Sequence, residues 1–136
     1  LRAQGFGILP IDHAHKRHQA RVPVVKLYLS LDSGWELLHR LVDEGRVFYV
    51  HGAPPCGTAS LARCKPIPER LKRRGAPAPR ALWNRAFPCG FLSLTGVDAA
   101  KVAKANLMYE KLAKFLGLCR SVGILFSVEN PSGSLM

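Results

Sequence analysis

Hydrophobic and polar positions along the chain switch repeatedly between strand-like runs and stretches of helical period. Leu1 to Gly5 reads as the last turn of a helix closed by a C-cap glycine. Phe6 to Ile11 is a short strand with Asp12 at its carboxyl end, and HAHKRHQAR after it is a polar, basic loop. Val22 to Leu31 is the next strand: Val25, Leu27 and Leu29 share one face, Val24, Lys26 and Tyr28 the other, and Asp32 ends it. Asp32 or Ser33 caps a helix over Gly34 to Glu44, with Trp35, Leu38, Leu41 and Val42 on one side and Gly45 as its stop. Val47 to Val50 is a buried strand that runs out into a Gly-Ala-Pro-Pro turn. Thr95 and Asp98 form a capping-box variant before a helix from Asp98 to about Leu116. Its stripe is Val102, Ala105, Tyr109, Leu112, Ala113 and Leu116, and Gly117 is its expected end. Val122 to Val128 is continuously apolar, as a strand buried on both faces should be, and it delivers Glu129, Asn130 and Pro131 to a loop.

Strand, connection, strand, helix, strand is the order of an α/β protein with a parallel sheet and crossovers. The strand at Val47–Val50, the long helix and the strand at Val122–Val128 make one right-handed βαβ unit. If its two strands are neighbours, the loops carrying Cys56 and Glu129 emerge side by side, at the carboxyl edge where open α/β sheets bind ligands. At 136 residues, 48% of them hydrophobic, the chain is one domain or part of one and does not read as disordered. Leu1 is not an initiator and Met136 follows directly on a loop, so the sequence reads as an internal piece. Residues 62–94 differ in kind: seven of the ten prolines lie between 54 and 88, interleaved with cations, as in a functional flap or a disordered segment inserted in the domain. Phe87, Phe91, Leu92 and Leu94 are its expected anchors to the core.

Charge sharpens this picture. The net charge is +11, and Arg63 to Arg85 alone carries Arg63, Lys65, Arg70, Lys72, Arg73, Arg74, Arg80 and Arg85 against Glu69. A concentrated cationic segment suits a phosphate backbone, because neutralised phosphates release counterions; a solvated basic loop without a partner is the alternative. Lys101, Lys104, Lys111 and Lys114 share a helix face and read as solvated surface. No run is long enough to span a membrane and no leader opens the chain, so an intracellular protein is expected, nuclear if it acts on DNA.

The four cysteines, Cys56, Cys64, Cys89 and Cys119, contain no C-x-x-C pair and suggest no disulfide framework. His13, His15 and His18 match no established metal spacing, and Lys16, Arg17 and Arg21 among them repel a cation, so no metal is expected. Pro54 and Pro55 fix two φ angles and hold Cys56 in a defined place; a buried cysteine after a rigid turn is the plainer reading. A cysteine and a glutamate offered from adjacent strand ends suit covalent chemistry on an electron-poor ring: the thiolate adds to carbon while the carboxyl holds or protonates the ring nitrogen. A thiol of ordinary pKa, about 8.5, needs help, and a helical turn beginning in Gly57-Thr58-Ala59-Ser60 is the expected source. Glu129 alone also fits a carboxylate that caps backbone or pairs with an arginine.

Pro55-Cys56 and Glu129-Asn130, in this order at the ends of two strands, resemble the motifs of the cytosine-5 DNA methyltransferases. That family carries its nucleophile in a Pro-Cys loop after the fourth strand and its cytosine-holding glutamate in a Glu-Asn loop after the fifth. The resemblance implies a partial Rossmann-like methyltransferase sheet whose first strand, glycine-rich cofactor loop and C-terminal strands lie outside Leu1 to Met136. It implies S-adenosylmethionine as cofactor of the complete domain, with Asp12, Asp32 and Pro54 at its site. It implies that Cys56 attacks carbon 6 of a flipped cytosine in DNA, or in RNA, while Glu129 engages nitrogen 3. Pro55, Asn130, Arg63, Lys72, Arg73 and Arg74 would then face the nucleic acid. Gly57 stands where the family usually has Gln, and Pro131 where it usually has Val. Two further readings stand beside it: a non-catalytic basic module binding nucleic acid through residues 63–85, and an amino-methyltransferase relative, whose Asp-Pro-Pro-Tyr loop Ala53-Pro54-Pro55-Cys56 loosely resembles.

Overall fold

The computed structural model describes residues 7–13, 22–58, 61–76 and 79–129. The expected helix end at residues 1–5, His15, His18, Asn130 and Pro131 lie outside them. The chain divides into two compact units, Leu1–Arg46 and Val47–Met136. Each carries a two-stranded parallel sheet, so the fold is mixed α/β, as the alternation of elements implies.

In the first unit β1 (Ile11–His13) pairs with β2 (Val25–Leu27), Ile11 opposite Val25, Asp12 opposite Lys26 and His13 opposite Leu27. Both strands are shorter than their patterns predict, and Asp12 lies inside β1 rather than beyond it. β2 stops at Leu27 because Tyr28 to Leu31 turns back on itself, the Leu31 N–H donating to the Tyr28 carbonyl at 2.9 Å. That turn feeds directly into α1 (Asp32–Asp43), with Leu31 at the N-cap. Asp32 therefore belongs to the first helical turn, where its charge meets the positive end of the helix, and neither it nor Ser33 is the cap. Gly34 is required by a close approach: a Cβ there would lie 2.8 Å from the Tyr28 carbonyl oxygen. Trp35 Nε1–H donates to the Leu29 carbonyl at 2.7 Å, and Trp35 and Val42 are buried on the expected helix face. The helix ends where predicted, its last carbonyls taken by the N–H groups of Gly45 and Arg46.

In the second unit β3 (Tyr49–Gly52) and β4 (Leu125–Val128) are parallel neighbours, Tyr49 opposite Leu125 and Gly52 opposite Val128. Between them run a short helix, α2 (Glu69–Lys72), and the long helix α3 (Gly96–Ser121). Gly117 does not end α3. Phe115, Leu116 and Cys119 around it are buried, and their packing outweighs the ~1 kcal/mol that glycine costs in a helix interior. Gly123 (φ 80°) is the terminator, with Gly123 N–H on the Arg120 carbonyl at 3.2 Å and Ile124 N–H on the Cys119 carbonyl at 2.8 Å. Thr95 is the N-cap as expected, but its side chain makes no capping bond; Asp98 pairs instead with Arg80 at 3.1 Å.

The basic insert is anchored differently from expectation. Its fully buried side chains are Leu82 (0% exposed) and Trp83 (1%), which pack with Val102 and with Leu94, Ala105 and Tyr109. Of the expected anchors Leu94 does this, whereas Leu92 is 91% exposed and Phe87 and Phe91 meet each other edge-on at 5.8 Å. The Phe91 N–H donates to the Leu82 carbonyl at 2.9 Å and folds the chain so that residues 82 and 83, not 91 and 92, point inward. β4 also departs from its pattern: Ile124 is buried, but Leu125, Phe126 and Val128 are exposed. A two-stranded sheet with α3 packed on β4 cannot cover both faces of a strand whose composition suits full burial.

Candidate active site

β3 and β4 bring the two candidate side chains to one edge. The Glu129 N–H donates to the Gly52 carbonyl at 2.8 Å, continuing the ladder one step beyond β4. Glu129 thus leaves the sheet beside Ala53, at the start of the loop that carries Cys56 three residues further on. Both strands run the same way, so the thiol and the carboxylate come from the same, carboxyl, edge.

The Cys56 loop is tied down on both sides of the thiol. Upstream, the Tyr109 hydroxyl donates to the Pro55 carbonyl at 3.1 Å. Downstream, Arg63 Nη1 donates to the Gly57 carbonyl at 3.3 Å, and the Trp83 indole N–H donates to the Thr58 carbonyl. One tether comes from α3, one from the 3₁₀ turn Leu61–Cys64, and one from the buried part of the insert. Burial pushes the Tyr109 hydroxyl up from its ordinary pKa, and the charge of the neighbouring Cys56 thiolate pushes it further. Cys56 itself is a free, half-buried thiol. The helical turn expected to begin at Gly57 is the four-residue 3₁₀ turn starting at Leu61.

On one face of the strand pair, Tyr49, His51, Ser127 and Glu129 form a connected polar row. Tyr49 Oη lies 2.5 Å from Ser127 Oγ, which lies 2.8 Å from His51 Nδ1. His51 Nε2 is 4.0 Å from Glu129 Oε2.

The cations divide into two groups. Arg63 is committed to backbone, its Nε donating to the Arg80 carbonyl at 2.9 Å as well as Nη1 to Gly57. Arg80 pairs with Asp98 on α3. Arg70, Lys72, Arg73 and Arg74 are exposed on and just after α2, with Lys72 3.2 Å from Glu69. Among the proposed cofactor residues, Asp12 and Asp32 belong to the first unit and Pro54 to the second. Among the described residues, no cluster of His, Cys, Asp and Glu could hold a metal ion, and no helix is long and apolar enough to cross a membrane.

Sequence reasoning missed Tyr109, Trp83, His51 and Ser127. Tyr109 was legible only as part of an apolar stripe, although its hydroxyl marks it as a residue whose tip needs a partner. His51 carries a clearer signal, a histidine in an apolar run two residues after Tyr49 and so on the same strand face. Comparison with protein-family models, with curated proteins and with solved structures finds no match for this chain.

Proposed function

We propose that this chain is part of a Rossmann-like methyltransferase domain acting on cytosine in DNA or RNA, with Cys56 as nucleophile and Glu129 as the group that holds the ring. One observation carries the reading: two motifs far apart in sequence leave a shared sheet edge from neighbouring parallel strands. Cys56, as thiolate, adds to carbon 6 of the pyrimidine. The sulfur–carbon bond forms as the 5,6 double bond opens, and its electrons run through the ring toward nitrogen 3, where the Glu129 carboxyl supplies or shares a proton. Carbon 5 is left electron-rich. The tethers at Pro55, Gly57 and Thr58 restrain the backbone on both sides of the thiol, so less freedom is lost on attack.

S-adenosylmethionine would supply the methyl group in the complete domain. Its proposed residues lie in two compact units, whose strand pairs are separate sheets. Asp12, Asp32 and Pro54 are therefore proposed for that site only in the complete domain.

The exposed cations of α2 favour a second reading, a basic module that binds nucleic acid without chemistry. One experiment separates them. A duplex carrying 2-pyrimidinone in place of cytosine has an electron-poor carbon 6 and takes up a thiol without a methyl donor. Intact-mass analysis should find an adduct on Cys56, lost in Cys56→Ser with duplex affinity retained. Reversal of Lys72, Arg73 and Arg74 should weaken binding and lower its salt slope by up to about 3. Binding without any adduct at Cys56 leaves the basic module.

A further inference from the structure

His51 Nδ1 is hydrogen-bonded to Ser127 Oγ at 2.8 Å, and Nε2 lies 4.0 Å from a Glu129 carboxylate oxygen, ion-pair range for a protonated ring and too long for a hydrogen bond. In strand alternation His51 and Gly52 face opposite ways, and Gly52 faces Leu112 of α3, where a Cβ would lie 3.5 Å from Leu112 Cδ1. The His51 side therefore presents the polar row: Tyr49 and His51 from β3, Ser127 from β4 and Glu129 just beyond it. Hydrogen-bond direction along this row follows the tautomer and charge of the ring. With a neutral ring protonated at Nε2, Tyr49 O–H donates to Ser127 Oγ, Ser127 O–H donates to Nδ1, and Nε2–H faces Glu129. With a cationic ring the serine reverses: Nδ1–H donates to Oγ, Ser127 O–H donates to Tyr49, and Nε2–H still faces Glu129. In either state Nε2–H is the ring's nearest donor to the carboxylate, 4.0 Å away, and the serine hydroxyl absorbs the difference.

We propose that His51 is a positioning residue for Glu129, with Ser127 and Tyr49 holding the imidazole so that Nε2–H stays directed at the carboxylate. The inference rests on the reading of Cys56 and Glu129 as a reacting pair. A glutamate at the mouth of a loop, 70% exposed as a side chain, has many rotamers; a donor at one oxygen leaves the other free for a ring nitrogen. His51 thus acts through Glu129 and touches no reacting atom.

The test is the rate of Cys56 adduct formation on the 2-pyrimidinone duplex, measured with the whole chain at saturating duplex. His51→Ala should slow it about tenfold, and Ser127→Ala about threefold, the scale of one hydrogen bond, with duplex affinity unchanged. His51→Gln, whose amide N–H reaches toward Glu129 as Nε2–H does, should recover most of the rate. A wild-type rate in His51→Ala overturns the inference, as does an equal loss in His51→Gln. If the wild-type chain forms no adduct, the cytosine reading falls, and the nitrogen NMR spectrum of the His51 ring decides the pairing separately. The Nε2–H tautomer giving way to a mixture in Ser127→Ala and in Glu129→Ala supports it; a tautomer unchanged by both substitutions refutes it.

Discussion

Replacing Trp83 by alanine tests whether the basic insert is part of the core or merely strung across it. The indole is 1% exposed and packs with Leu82, Val102 and Tyr109 while its N–H reaches the Thr58 carbonyl beside the nucleophile. A buried aromatic removes roughly 150–250 Å² from water, which at about 25 cal/mol per Å² is about 4–6 kcal/mol. Truncation of buried tryptophan to alanine costs about 3–5 kcal/mol, a range that overlaps it. A domain of this size is stable by about 5–10 kcal/mol, so the substitution removes a large fraction of the second unit's stability. Trp83→Phe separates the contributions: it keeps most of the ring and loses the bond to Thr58, for about 1–2 kcal/mol. Urea denaturation followed by circular dichroism measures both, and iodoacetamide labelling of Cys56 in the folded chain reports the released loop. A Trp83→Ala chain that unfolds at the wild-type urea midpoint would refute the seating of the insert in the core.

Other outcomes follow from single positions. Gly90 has φ 107°, and a Cβ there would lie 2.7 Å from Val102 Cγ1, so Gly90→Ala should cost about 1–3 kcal/mol in a urea melt. Gly57→Ala, with nothing within 4 Å of the new Cβ, should cost much less. Tyr109→Phe gives up the bond to Pro55, about 0.5–1.5 kcal/mol at neutral pH. Because the Tyr109 pKa is raised on folding, its protonation-linked stability is fully present below about pH 10 and is lost as pH rises through the raised value. The phenylalanine variant should lack that alkaline decline in melting temperature; an identical decline in both chains counts against it. Calorimetric titration of this chain with S-adenosylmethionine should show no micromolar binding, and micromolar binding would contradict the proposal that the cofactor needs the complete domain.

The parallel pairing of β3 with β4 was legible because the chain brackets a long helical stretch between two apolar runs. That the segments after both strands leave from one edge followed from that pairing, since a parallel ladder sends both exits the same way. Boundaries were less legible. Gly117 reads as a stop only if the turn containing it is exposed, whereas Phe115, Leu116 and Cys119 bury it. β2 reads as long because Leu29 and Leu31 continue its alternation, yet they belong to the turn that launches α1. The insert was the least legible stretch. Composition marks it as a flap, and a Leu-Trp pair among prolines and arginines does not announce which of its hydrophobic groups turns inward. The tethers at Pro55, Gly57 and Thr58 join the loop to partners up to 54 residues away, which a local pattern cannot display.

The contact between His51 and Ser127 spans 76 residues of chain. Closing a loop that long carries an entropic penalty that local contacts do not offset in advance, so this juncture should form late in folding, after the helices have consolidated. Until then β3 and β4 each present an unpaired backbone edge, a period in which sticking to other chains competes with maturation. The yield of native protein should therefore depend on how fast β4 finds β3, and slower synthesis or lower temperature should favour it over aggregates.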